Sequence, residues 1–303
     1  MGGSFMLRKW KKVICYIFVL TALPYLITIF INGPMRLSAP TQKQQEVAVM
    51  SEGDSKAKFL SLDEYGMGML AREIPMSMDI EAVKAQAILV RTGIYKKMAE
   101  KTGNDQVVFS GPYFSVQEME KEWGDHMEEY YSKLKKAWNE TKERILTYGG
   151  KPAYTPFCRL TNGKTRNAAE ALNTDQYPYL KSVDCSKDIE AKGAFQTKEI
   201  KGDTYEIAKT DSTGYVLQVK NGEQILDGDA FRDQFGLVSS SFTLKKGKGK
   251  TDVTTKGNGH GLGMSQNTAD QMAKEGKDYK EILAYFFEGT TLQEVAEILS
   301  ETE

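Results

Sequence analysis

Apolar and polar positions fall into three regimes along this chain. Val13 to Ile31 is an almost unbroken apolar run of 19 residues. A helix needs roughly 20 such residues to cross a bilayer. Arg8, Lys9, Lys11 and Lys12 precede the run and only Arg36 follows closely. The positive-inside bias then puts residues 1–12 in the cytoplasm, an anchor at 13–31, and all that follows outside. A cleaved signal peptide is the alternative, but the run is long for one and Asn32-Gly33-Pro34-Met35 is not an A-x-A site. Residues 32–58 are polar and read as a linker. Periodic patterning begins near Phe59 and defines a domain over 59–303.

Within that domain the period is first helical. Ser61 and Glu64 have the spacing of a capping box and open a helix through about Arg72, which Pro75 ends. Gly66 and Gly68 weaken it on propensity, so packing must support it. Ile80, Val83, Ala87, Val90 and Ile94 recur at spacings of three and four and predict a second helix from Asp79 to about Lys101. Lys84 and Arg91 share another face, whose ordinary reading is a solvated one. A charged helix over Glu118 to Lys142 is anchored by Trp123, Tyr130, Leu134 and Trp138. Strand patterns follow: a hairpin about Gly149-Gly150, a strand over Tyr177 to Val183, strands at 205–209, 215–220, 223–226 and 241–244, and a turn at Asn221-Gly222. Asp227 caps a short helix through Phe235. Helices return at 266–275 and 279–287, stopped by Gly276 and Gly289. The expected class is α+β, with helices at both ends of a β-rich middle and two lobes around a substrate cleft.

Composition narrows the possibilities. A net charge of −1 with 27% charged residues lacks the basic excess of a nucleic-acid binder. Cys158 and Cys185 fall outside the membrane on this topology, where a disulfide persists; a disulfide and two free thiols both remain open. A metal site would need His126 or His260 to join them, and no C-x-x-C or H-x-x-x-H spacing supports one. No cofactor is expected.

Two constellations carry chemistry. Glu73 ends a helix, faces the negative end of its dipole, and has Ile74, Met76 and Met78 to exclude water. Dipole and desolvation both raise a carboxyl pKa, as a general acid requires. Gly257-Asn258-Gly259-His260-Gly261-Leu262-Gly263-Met264-Ser265-Gln266 precedes a helix. Its alternate glycines allow positive φ and close backbone approach. It lacks the Lys-Ser/Thr of a phosphate loop. A plain turn is one reading; the other is a groove wall stripped of side chains, with His260 and Gln266 donating to a polymer.

Four ordered stretches make a resemblance specific: Leu62-Asp63-Glu64-Tyr65 with Glu73-Ile74-Pro75; Glu81-Ala82-Val83-Lys84-Ala85-Gln86-Ala87 with Arg91-Thr92; Tyr177-Pro178-Tyr179-Leu180-Lys181-Ser182-Val183; and Gly259 through Gln266. Gly289-Thr290 completes them. The chain resembles the stage II sporulation protein D family (SpoIID), which includes amidase enhancers, over about residues 60–292. That resemblance implies a membrane-anchored lytic transglycosylase acting on peptidoglycan strands stripped of stem peptides. It would leave 1,6-anhydromuramic ends and work with an amidase (SpoIIP) and a membrane protein (SpoIIM) during engulfment. A noncatalytic glycan-binding enhancer of an amidase is the rival. A hydrolase usually needs two carboxylates; a transglycosylase needs one, here Glu73. His260, Ser265 and Gln266 would position substrate, with Lys84, Gln86 and Arg91 as further candidates: Gln86 to support the loop, Arg91 to bind a carboxylate of protein or substrate. The chain departs from the family's Tyr-His-Ser with Phe157-Cys158-Arg159, and has Asn267-Thr268 after Gln266. Some members bind zinc, and the altered positions do not carry that over.

Overall fold

A computed structural model describes residues 45–50, 56–100 and 107–296, and those from Glu46 onward belong to one compact unit. Among the described residues no helix is long and apolar enough to cross a membrane. The anchor expected at 13–31 lies outside them.

The stretch read as linker contains a strand. Strand β1 (Glu46–Val49) buries Val47, Ala48 and Val49. It pairs antiparallel with β2 (Lys58–Ser61) and parallel with β3 (Val108–Phe109). Helix α1 (Leu62–Glu73) follows at once, and Ser61 Oγ accepts from the Glu64 N–H at 3.1 Å. Only this half of the expected capping box forms. Helix α2 (Ile80–Ala99) is capped by Asp79. It is buried nearly all round, not along one stripe: Ala85, Gln86, Ile88, Leu89, Arg91 and Thr92 are as buried as Val83, Ala87, Val90 and Ile94. Such a helix is a core element rather than a surface one.

The predicted long charged helix is two, α3 (Val116–Trp123) and α4 (Met127–Glu140), broken at Gly124, whose φ is +50°. Strand β4 (Arg144–Tyr148) turns through Gly149-Gly150 into the two-residue β5 (Lys151–Pro152). It also pairs with the strand Thr291–Glu294. Strand β6 (Phe157–Cys158) pairs parallel with the strand Met264–Ser265. The strand expected over 177–183 is absent. That segment is irregular, held by Thr165 N–H to Val183 O and Ala168 N–H to Leu180 O, each 3.0 Å.

The middle of the chain is β-rich. Strands β7 (Phe195–Lys201), β11 (Phe242–Lys246) and β12 (Lys250–Lys256) form one antiparallel sheet in the order β11-β12-β7. Strands β8 (Tyr205–Thr210), β9 (Val216–Asn221) and β10 (Gln224–Asp227) form another. Gln224 pairs with Asn221, so the hairpin loop is Gly222-Glu223, one residue later than expected. This region keeps its own small core about Val216, Val219, Phe231, Phe242 and Val253. The larger core surrounds α2 and includes the C-terminal helices Gln266–Lys274 and Tyr279–Phe286. The mixed α+β class and the placement of its helices match the expectation.

Candidate active site

Glu73 is the last residue of α1. Ile74 is extended (φ −123°, ψ 136°), the conformation a following proline imposes, and the chain leaves the helix there. Glu73 opens on a cleft of about 370 Å³ lined also by Ile74, Met76, Phe114, Trp123 and Tyr130. Burial pushes its carboxyl up to about 7; the Gln86 amide and Arg72 pull the other way. The expected cause is thus half right: removal of water leads, and the helix end supplies the position. Glu73 Oε2 is buried without a hydrogen-bond partner, and so is Gln86 Nε2. The Gln86 amide therefore acts on the carboxyl as a nearby dipole rather than through a formed hydrogen bond.

Gln266 joins the two constellations. Its Nε2 donates to the Glu73 carbonyl at 2.9 Å and to Gln86 Oε1 at 3.3 Å. It is fully buried, so it holds the acid's backbone and does not face substrate. The glycine-rich loop does not wall a groove. At Gly263 (φ +70°) an added Cβ would lie 1.9 Å from the Pro156 carbonyl oxygen, and at Gly261 (φ +79°) 2.3 Å from the Tyr215 ring. The glycines let the loop press against protein. The cleft's wall comes instead from Phe114 and from Trp123 and Tyr130 on α3 and α4.

The other expected donors are placed as follows. Ser265 is buried; its Oγ donates to Asp188 Oδ2 at 2.7 Å and accepts from the Thr268 N–H at 3.3 Å, as a helix cap does. His260 Nδ1 accepts from the Leu262 N–H at 3.0 Å. Burial, with Arg232 and Arg166 nearby, pushes His260 down to about 4. It is therefore neutral at pH 7 with its hydrogen on Nε2, and it does not line the Glu73 cleft. Arg91 is no solvated residue. It is 2% exposed, donates to the carbonyls of Thr141 (2.7 Å) and Trp138 (3.0 Å), and stacks 3.9 Å from the Trp138 ring centroid. Lys84 is held by Glu81 (2.7 Å) and Glu140 (2.6 Å). Both cations are spent inside the fold.

Sequence reasoning missed three participants. Asp188 is completely buried and accepts from the Thr161 N–H and hydroxyl, Ser265, Asn267 and Thr268. Arg159 and Glu122 both line the cleft. Glu122 is exposed, so the second carboxylate of the cleft is solvated where Glu73 is not. Cys158 and Cys185 are free and buried, and burial raises both thiols. Among the described residues, no cluster of His, Cys, Asp and Glu has the arrangement of a metal site.

Comparison with known proteins shows the family. Residues 51–148, which contain α1, α2 and Glu73, match the family model described as SpoIID, Stage II sporulation protein. The chain is 32% identical to stage II sporulation protein D of Bacillus amyloliquefaciens over 86% of its length and 83% of the relative. It is likewise 32% identical to the Bacillus subtilis protein of that name, over 88% and 85%. It is 25% identical to the Bacillus subtilis amidase enhancer over 74% of this chain and 40% of the relative. Identity of that level over most of both chains places this chain in the stage II sporulation protein D family.

Proposed function

We propose that this protein is a peptidoglycan lytic transglycosylase that cleaves the bond from N-acetylmuramic acid to N-acetylglucosamine in peptide-stripped strands during sporulation. The observation that carries the reading is one desolvated carboxyl, held near neutrality in an aromatic-lined cleft. A group with a pKa near the working pH serves both as acid and as base. Glu73, protonated, gives its proton to the glycosidic oxygen as the C1–O bond breaks toward that oxygen. The carboxylate then takes the proton of the muramic acid C6 hydroxyl, whose oxygen closes on C1. Acid is regenerated, no water is consumed, and a 1,6-anhydro end remains. Aromatic faces at Trp123 and Tyr130 suit the apolar faces of sugar rings. The apolar run at 13–31 would hold this domain on the outer side of the membrane, beside an amidase and a membrane partner.

The test is product analysis. Peptide-free glycan strands incubated with the full-length chain should yield anhydromuramyl ends by mass spectrometry, and Glu73→Gln should yield none. Reducing ends would point to water as nucleophile and to Glu122 as its base. Binding without products from either protein would favour a noncatalytic enhancer, a reading encouraged by the likeness to an amidase enhancer.

A further inference from the structure

Arg159 occupies a position that the catalytic reading leaves without a task. It follows β6 directly, and its carbonyl accepts from the Asn267 N–H at 3.3 Å. Asn267 adjoins Gln266, which holds the Glu73 carbonyl. The backbone of Arg159 is thus fixed relative to the acid, and its side chain lines the same cleft. Among the described residues its guanidinium has no hydrogen-bond or ion-pair partner within 4 Å. Arg72 lines the same cleft and also lacks an ion pair among those residues, but its guanidinium lies over the Phe114 ring, 5.4 Å from the centroid, while those nearer the loop are engaged. Arg91 is consumed by carbonyls, Arg166 by Asp211 (2.8 Å) and Asp229 (3.1 Å), and Arg232 by Asp233 (2.7 Å).

Its nearest anionic influence is already engaged. Asp270 accepts from the Asp79 N–H (2.7 Å) and Lys274 (2.6 Å). Glu122 shares the cleft but is exposed and makes no ion pair with Arg159. The side chain is exposed at the cleft; its partial burial draws the guanidinium below its ordinary range, opposed by Asp270, and it has no partner among the described residues. A planar fork of donors in that state is matched by a carboxylate, which it binds through two parallel hydrogen bonds. In a glycan bound across Glu73, the carboxylate within reach is one borne on the sugar ring itself.

We infer that Arg159 is the specificity residue of this cleft, binding the free lactyl carboxylate of the muramic acid whose glycosidic bond meets Glu73. The inference rests on the proposed glycan chemistry. It assigns Arg159 a charge-reading task that an amide-linked or absent lactyl group does not engage.

Affinity measured without turnover tests it. Full-length Glu73→Gln protein is titrated with peptide-free strands and with the same strands after amidation of their lactyl carboxyls. Hydrogen bonds to a charged group contribute enough for native strands to bind roughly ten- to hundredfold tighter than amidated ones. Adding Arg159→Gln should abolish that difference and leave the amidated affinity unchanged, while Arg159→Lys should keep part of it. Equal weakening toward both strands, or no weakening, overturns the inference. Failure of Glu73→Gln to bind either strand overturns it together with the glycan reading. Product analysis with intact Glu73 separates the two ideas: Arg159-dependent binding without anhydro products leaves the carboxylate site standing and removes the catalytic reading. Anhydro products with a KM indifferent to Arg159→Gln do the reverse.

Discussion

Glu73 holds its proton because burial removes the water that would stabilise the carboxylate, and that burial affects folding as well as chemistry. Its pKa stands at about 7 against an ordinary value of 4.5. Between those values the native state binds more protons than the unfolded one, so stability falls as pH rises from about 4.5 to about 7 and is then flat. Glu73→Gln removes this ionisation. The variant should match wild type near pH 4 and exceed it by about 2 kcal/mol at pH 8, from a unit shift costing about 1.4 kcal/mol and some allowance for partial exposure. Urea denaturation at both pH values measures this, and equal midpoints at pH 8 would refute the desolvation argument. Activity should fall above about pH 7, where the proton donor is lost. A single acid at a helix end before a proline was legible in the sequence because its neighbours are local. Arg91 was not legible: its carbonyl partners at Trp138 and Thr141 lie 47 and 50 residues away.

Helix α1 carries two glycines that intrinsic propensity counts against. Their reason is packing. An added Cβ at Gly66 would meet Trp138 Cη2 at 2.2 Å, and one at Gly68 would meet the Phe114 carbonyl oxygen at 2.6 Å. The Phe114 N–H donates to the Gly68 carbonyl at 3.0 Å, so the strand of chain that brings Phe114 to the cleft is docked on the helix at that glycine. Gly68→Ala should therefore destabilise by about 1–3 kcal/mol, as overpacking does. Helix propensity alone would stabilise by about 1 kcal/mol, so the sign decides. Thermal unfolding gives it, and a raised midpoint would show that Phe114 shifts at no cost. Elsewhere, elements whose pattern is local were readable: the start of α2 at Asp79, the cap at Asp227, the β9–β10 hairpin to within one residue, the C-terminal helices. Strands β7 and β12 were not. In β12 the buried face is Thr251, Val253 and Thr255, so threonines hide the alternation. In β7 only Ile200 is buried.

Across the whole molecule, the site depends on two parts of the chain almost 200 residues apart. Glu73 and Gln266 are 193 residues apart and meet through one amide hydrogen bond. The sequence marked both ends but not the contact, and it left the loop's glycines between a turn and a groove wall because the groups they approach, at Pro156, Cys158, Thr161 and Tyr215, lie far away along the chain. What fixes Gln266 is Asp188. Its two oxygens collect the Thr161 N–H and hydroxyl, the Ser265 and Thr268 hydroxyls and the Asn267 amide, all at 2.7–3.0 Å. These donors come from the turn after β6 and from the first turn of the helix that Gln266 opens. That helix's N-terminus also favours the negative charge. In Asp188→Leu, five donors lose their acceptor, and the Thr161 N–H has no rotation by which to find another. Each buried donor left without an acceptor costs about 1–3 kcal/mol, so the variant should lose about 3–5 kcal/mol even after the hydroxyls turn elsewhere. Asp188→Asn can keep an oxygen for the Thr161 N–H and for the Thr161 and Ser265 hydroxyls, and the Thr268 hydroxyl turns to accept from its amide, so its cost should be nearer 1–3 kcal/mol. Both variants should also lower turnover more than substrate affinity, because the displaced residue is Gln266 behind the acid and not a group on the cleft wall. Calorimetry and steady-state kinetics on the two variants check this order. An Asp188→Leu protein as stable as Asp188→Asn would show that the carboxylate is not what joins the loop to the helix. A loss confined to KM would show that the joint does not reach Glu73.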